Sequence, residues 1–167
     1  MDGKIPKAIH YREDVRSSDA QAVREIVKST GFFRPDEVEV AVELVEERLK
    51  TGAEKSGYYF VFADDAQGRT IGYTCFGPIA CTVQSYDLFW IAVHSDCRGS
   101  GLGRELMRRS EDAIRKLGGR RVYIETSSQP QYESTRGFYL KLGCIEEARL
   151  KEFYAPGDDK VIYVKPL

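Results

Sequence analysis

The chain has 167 residues, 42% of them hydrophobic and 31% charged, with a formal net charge of −1 and an isoelectric point near 6.2. That length suits one domain, residues 1–167, with a core that needs no staples, and so even a charge balance argues against nucleic acid or an anionic membrane as partner. No apolar leader opens the sequence, no run approaches the roughly 18 apolar residues of a membrane span, and four cysteines without CxxC spacing beside two histidines point away from zinc and disulfides, towards a reducing cytoplasm.

Residues 8–13 read as a first strand. Ser18 with Gln21 three residues on resembles a capping box, followed by a helix whose buried stripe is Val23, Ile26 and Val27 and whose stop is Gly31. Pro35 fits a first helical position, and Val38, Ala41, Val42, Val45 and Leu49 carry that helix to about Lys50. Between the two helices stand Phe32 and Phe33. A hairpin follows, strands 57–63 and 70–76 around the turn 64–68. Residues 87–93 are nearly continuous apolar sequence, as expected of a strand covered on both faces. Beyond a glycine-rich turn come a helix ended by Gly118-Gly119, a strand at 122–126, a short helix at 134–142, and two strands, 145–153 and 161–164, joined by a turn at 155–159. The order β-α-α-β-β-β-α-β-α-β-β implies an α/β chain (α+β, mixed sheet) with helices on both faces.

The turn Arg98-Gly99-Ser100-Gly101-Leu102-Gly103 follows an apolar strand and opens a helix. A dinucleotide fingerprint G-x-G-x-x-G starts at Gly99, but Arg104 occupies the third glycine position. A phosphate loop of the G-x-x-x-x-G-K type is absent, since no lysine follows the glycines. The remaining pattern, R/Q-x-x-G-x-G/A, lets successive backbone N–H groups converge on a pyrophosphate at the positive end of the helix, with Arg98 and Arg104 adding charge. An ordinary glycine-rich connection before an amphipathic helix has the same residues.

Over residues 8–165 the chain resembles the GNAT superfamily of N-acetyltransferases. Two signatures carry the resemblance. Ile91 through Gly103 fit "hydrophobic-x-V-x-x-x-x-R/Q-x-x-G-x-G", and Phe138-Tyr139-Leu140-Lys141-Leu142-Gly143-Cys144 fit "FYxKxGF", with cysteine in place of the last aromatic. The resemblance implies acetyl-CoA as co-substrate, no metal, and a pyrophosphate held by Arg98, Gly99, Ser100, Gly101, Leu102, Gly103 and Arg104. It also implies pantetheine and thioester contacts from the backbone of Ile91, Ala92 and Val93, where a bulge would free N–H groups.

Acetyl transfer needs a neutral amine, and an alkylamine of pKa about 10.4 pays about 4–5 kcal/mol for that form at neutral pH. A base helps, and a departing thiolate gains from a proton donor. Tyr139 matches the tyrosine of the family motif and is the expected donor; otherwise it packs. Glu125, at the exit of an apolar strand, is the expected base, or else a strand-end carboxylate paired with Arg120 or Arg121. Asp87 competes as base or as a substrate contact. The family often has asparagine and alanine where Tyr132 and Thr135 stand here, so no cofactor contact is carried over to that segment.

By resemblance, Phe32 and Phe33 line the acceptor side, and Asp158 and Asp159 of the last turn share it. Together with Asp87 they suit a cationic amine with an apolar body, a small amine or amino-acid-like acceptor. A protein lysine or N-terminus, a non-catalytic acyl-CoA sensor of the same fold, and a homodimer through an exposed strand edge stay open.

Overall fold

The computed structural model describes residues 8–167. Seven strands form one mixed sheet in the order β1-β2-β3-β4-β5-β7-β6. They are β1 (His10–Arg12), β2 (Tyr59–Asp64), β3 (Thr70–Pro78), β4 (Ser85–Val93), β5 (Arg121–Ser127), β6 (Ile145–Ala155) and β7 (Asp158–Pro166). The helices are α1 (Asp19–Thr30), α2 (Pro35–Thr51), the single turn α3 (Ala53–Ser56), α4 (Leu102–Lys116) and α5 (Glu133–Lys141). The expected order holds, with α3 and two short 3-10 turns, Ser95–Cys97 and Pro130–Tyr132, added to it. Only β4 and β5 run parallel among the paired strands described; the other pairs are antiparallel.

The chain folds as two compact units, one made of the described residues up to Gly77 with Trp90–Asp112, the other of Pro78–Phe89 with Ala113–Leu167. In the first unit, period-two alternation sorts β2 and β3 onto two faces. Phe60 and Phe62, opposite Cys75 and Tyr73, meet Val23, Ile26 and Val27 of α1 and Val38, Ala41, Val42 and Val45 of α2. The other face takes α4. A Cβ on Gly72 would lie 3.0 Å from Leu106 Cδ1 and 3.3 Å from the Ala92 carbonyl oxygen, so a side chain there would lift the helix. Thr74 and Ser110 share a hydrogen bond of 2.6 Å one step further along. The helices therefore cover both faces of this part of the sheet.

Ser18 does not cap α1. Its backbone is already helical (φ −71°, ψ −14°) and its side chain makes no cap bond, while Gln21 donates to Glu25 instead. The reason lies in Arg12, whose side chain is 3% exposed and whose guanidinium donates to both oxygens of Asp19 (2.6 and 2.9 Å) and to Asp64 Oδ2 (2.8 Å). Asp19 also accepts the Arg16 N–H at 2.7 Å, which seats the start of the helix from inside. Asp64 thus belongs to a buried cluster at the end of β2, where the sequence pattern had put a turn. In α2 the expected start holds, with Pro35 at its first residue and Glu37 accepting the Arg34 N–H at 2.8 Å.

In the second unit, Tyr86 and Leu88 of β4, Val122, Ile124 and Thr126 of β5, and Val161 and Tyr163 of β7 are buried. Gly119 is needed beside them, since a Cβ there would meet Ile114 at 2.3 Å and Tyr86 at 2.7 Å. Alternate residues of the same strands, Asp87, Glu125, Lys160 and Ile162, form the other face. The expectation that residues 87–93 are covered on both sides is corrected, because Phe89 is 40% exposed and Asp87, Ile91 and Val93 are partly exposed. Asp158 and Asp159 open β7 instead of lying in the turn, which is Pro156-Gly157. Among the described residues no helix is long and apolar enough to cross a membrane, and no group of metal-ligating side chains occurs.

Candidate active site

The glycine turn lies in the first unit. Gly99 (φ +74°) and Gly101 (φ +81°) both have left-handed backbone, and a Cβ on either would meet nothing within 4 Å. Glycine is required there for its conformation and for the open approach it leaves to the backbone. The Glu105 N–H bonds the Gly101 carbonyl at 3.2 Å and begins the α4 ladder. The N–H groups just before it have no partner within the helix, by helix geometry, and carry the positive end of a 15-residue dipole. Ser100 Oγ donates to the Cys97 carbonyl at 2.6 Å and fixes the turn. Backbone N–H groups at a helix N-terminus are a general means of holding a phosphate or pyrophosphate. Leu102, the first residue of α4, is buried, Gly103 is partly buried and Arg104 is exposed. β4 runs through Ile91, Ala92 and Val93, of which only Ala92 is buried.

Arg98 has a second employment. Its Nη2 donates to the Thr30 carbonyl at 3.0 Å, at the C-terminal end of α1, and its Cζ lies 5.2 Å from the Phe32 ring centroid. The Ser95 N–H bonds Ser29 Oγ at 3.0 Å beside it. The α1–α2 connection is therefore tied to the glycine turn. Phe33 sets its ring 5.1 Å from Trp90, edge to face, against the α1–α2 core. Of the two phenylalanines, Phe33 anchors the helices and Phe32 is covered by Arg98.

The ionisable groups lie in the second unit. Asp87 is paired with Tyr123 in register, so it shares a face with Glu125 two residues on. Glu125, 49% exposed at its side chain, bonds Lys160 Nζ through Oε2 at 2.8 Å, and not Arg120 or Arg121. Burial raises the Asp87 carboxyl above the usual carboxylate range, the Glu125 charge adds to this, and Lys160 partly offsets it. Lys160 Nζ also stands 3.7 Å from the Phe153 ring centroid and 5.8 Å from that of Tyr154.

Tyr139 sits elsewhere. It is 5% exposed, with ring centroids 5.8 Å from Tyr163 and 5.5 Å from Phe138. Tyr163 pairs with Ile124, so Tyr139 packs on the Ile124 face of the sheet, opposite to Glu125. Burial, then Cys144 and Tyr163, raises its pKa and keeps the phenol protonated. The two expected catalytic groups are thus separated by the sheet. Asp158 and Asp159 are engaged in holding the hairpin. Asp158 Oδ1 accepts from Ser127 Oγ at 2.5 Å, and Asp159 Oδ1 accepts from the Glu152 N–H at 2.9 Å.

Sequence reasoning missed Lys160, Phe153 and Tyr154. Their meeting depends on an excursion of β6. Leu150 pairs with Lys160 and Ala155 with Asp158, so four residues of β6 oppose Asp159 alone. Glu152 within it has φ +51°. Nothing in the strand pattern marks such a bulge.

The sequence matches the Acetyltransferase (GNAT) family over residues 21–144. It is 35% identical over 83 residues to the Escherichia coli protein named Uncharacterized N-acetyltransferase YhbS, a match spanning 47% of each chain, so about half the length of that curated relative is covered. A crystal structure of a GNAT-family protein from Desulfovibrio desulfuricans superposes with a TM-score of 0.92 at 46% identity, over 95% of this chain and 99% of that one. An aminoglycoside 6'-N-acetyltransferase in complex with coenzyme A gives 0.76 at 20% identity, over 94% and 96%, a likeness of fold.

Proposed function

The chain belongs to the GNAT family of acetyltransferases, and on that premise we propose that residues 1–167 act as one N-acetyltransferase domain, cytoplasmic, that moves an acetyl group from acetyl-CoA to a small primary amine or amino-acid-like acceptor by direct attack on the thioester. Acetyl-CoA supplies the activated acyl carbon; everything else falls to side chains and backbone of this chain. The observation that carries the reading is the glycine turn, two left-handed glycines opening a 15-residue helix, with nothing within 4 Å of a Cβ built on either glycine. Gly99 to Arg104 hold the pyrophosphate, and the backbone of Ile91, Ala92 and Val93 holds the pantetheine and thioester. Arg98 supports the turn through Thr30 and Phe32.

Glu125 takes a proton from the acceptor ammonium. A carboxylate accepts at both oxygens, and Lys160 is bound at one of Glu125's. Asp87, on the same face, attracts the cationic acceptor. Tyr139 gives its proton to the departing sulfur. Phe32 and Phe33 border the acceptor side, while Asp158 and Asp159 shape it through Ser127 and Glu152.

A thermal melt with acetyl-CoA, CoA, NAD or ATP tests the ligand. At about 100 times its dissociation constant a ligand adds about 2.7 kcal/mol, or roughly 5–10 °C for this size. A shift with acetyl-CoA and CoA alone is expected, followed by thiol release when amines are added. No shift with either overturns the reading.

A further inference from the structure

Arg98 opens the glycine turn, yet its side chain is engaged on α1. Its Nη2 donates to the Thr30 carbonyl at 3.0 Å, and its Cζ stands 5.2 Å from the Phe32 ring centroid. Thr30 is the last residue of α1, so its carbonyl is one that the helix leaves without a donor, at the negative end of the dipole. A second tie lies three residues before Arg98. The Ser95 N–H donates to Ser29 Oγ at 3.0 Å, and that hydroxyl donates to the Ile26 carbonyl at 2.7 Å. All these residues belong to the compact unit that holds the turn. The segment 95–98 is thus fastened at two points to the end of α1, just before the connection 31–34 that carries Phe32 and Phe33.

The turn on the other side of Arg98 is loosely surrounded. Gly99 and Gly101 are left-handed, and a Cβ on either meets nothing within 4 Å. Glycine backbone has conformational freedom that a ligand bound to its N–H groups removes. Opening of the turn moves Arg98, which is joined covalently to Gly99, and loosens its hold on Thr30 and Phe32. The connection depends on that hold, because the Phe32 N–H donates to Thr30 Oγ1 at 3.3 Å and the Gly31 N–H to the Lys28 carbonyl at 3.2 Å.

We propose that Arg98 is a positioning residue, through which a ligand on the glycine turn orders the α1–α2 connection, with Ser95 and Ser29 as the second tie. The inference rests on the acetyl-CoA reading of the turn. Local opening of one segment then includes the other, and a ligand that suppresses the first suppresses both. Linkage makes the coupling reciprocal, so an acceptor that packs on Phe32 tightens the hold of the turn on acetyl-CoA.

The test follows amide hydrogen exchange of the full chain by NMR, with and without saturating CoA. In the wild type, CoA is expected to slow exchange at Gly31 and Phe32 by at least about tenfold, together with amides 99–104. In Arg98→Ala, at CoA concentrations that saturate the variant, amides 99–104 still slow, whereas Gly31 and Phe32 slow by less than about twofold. Ser29→Ala, which removes the other tie and leaves Arg98 in place, is expected to fall between the two. A merely structural tie would raise exchange at Gly31 and Phe32 by the same factor with and without CoA, and that result overturns the proposal. Equal slowing in the wild type and in both variants overturns it as well. Slowing of amides 99–104 alone in the wild type rejects the coupling and leaves the acetyl-CoA reading standing, whereas no slowing anywhere rejects both.

Discussion

Tyr139 and Asp87 owe their chemistry to one consequence of burial, which disfavours the charged form of each. For the phenol, burial keeps the proton in place, which a donor needs. Tyr139→Phe retains the ring against Phe138 and Tyr163, so turnover is expected to fall by roughly 10²-fold or more, with the acetyl-CoA dissociation constant unchanged; thiol-release kinetics beside a binding titration check both. For the carboxyl of Asp87, burial first and Glu125 second make ionisation costly. An acid whose pKa rises on folding binds more protons folded than unfolded, so it lowers stability as pH climbs through that interval. Asp87→Asn is therefore expected to raise the Tm at neutral pH, with the gain vanishing below the ordinary carboxylate range. A gain that persists at pH of about 3 would show that ionisation is not its cause.

At the scale of elements, α4 brings the glycine turn to its place because Gly72 lets Leu102 and Leu106 close onto β3. The turn itself tolerates added atoms poorly for a different reason. At Gly101 a Cβ meets nothing within 4 Å, yet φ is +81°. Gly101→Val is expected to cost about 1–2 kcal/mol of stability, a fall of a few degrees, and to eliminate the acetyl-CoA-dependent thermal shift by blocking backbone approach. An intact shift would remove the turn from the pyrophosphate site. At the other end of the sheet, β6 is an edge strand that carries Glu146, Glu147, Arg149, Lys151 and Glu152 and two breaks of register with β7. Charge and bulges of this kind blunt an edge against further pairing.

For the molecule as a whole, the cluster of Arg12, Asp19 and Asp64 is the most consequential polar feature. Burial pushes Asp64 up, but hydrogen bonds from Arg12 and Thr70 outweigh it and hold the carboxyl below its usual range. A lowered pKa on folding contributes stability above the unfolded value, lost as pH falls through the folded one. Arg12→Met strands two buried carboxylates and is expected to cost about 3–5 kcal/mol, roughly 6–20 °C in Tm. The deficit narrows in acid, where protonation removes the charges that Arg12 had balanced. Thermal melts of both proteins from neutral pH downward check the magnitude and the sign together. A deficit under about 1 kcal/mol would mean that water reaches the carboxylates.

What the sequence determined by itself was local. Hydrophobic period, glycine and proline set the order of strands and helices, and the spacing of Gly99, Gly101 and Gly103 marked a turn that opens a helix, because left-handed backbone is a property of a few residues. The placement of Tyr139 on a helix after β5 followed in the same way. Tertiary structure decided the rest. Asp64 stands 52 residues from Arg12, which also holds Asp19 at the start of α1, where Ser18 makes no side-chain cap bond. Lys160 meets Glu125, Phe153 and Tyr154 through strand register and a bulge, and the opposite faces of Tyr139 and Glu125 follow from the pairing of β5 with β7. Ion pairs, register and sheet faces depend on which strands become neighbours, a quantity that no local pattern encodes.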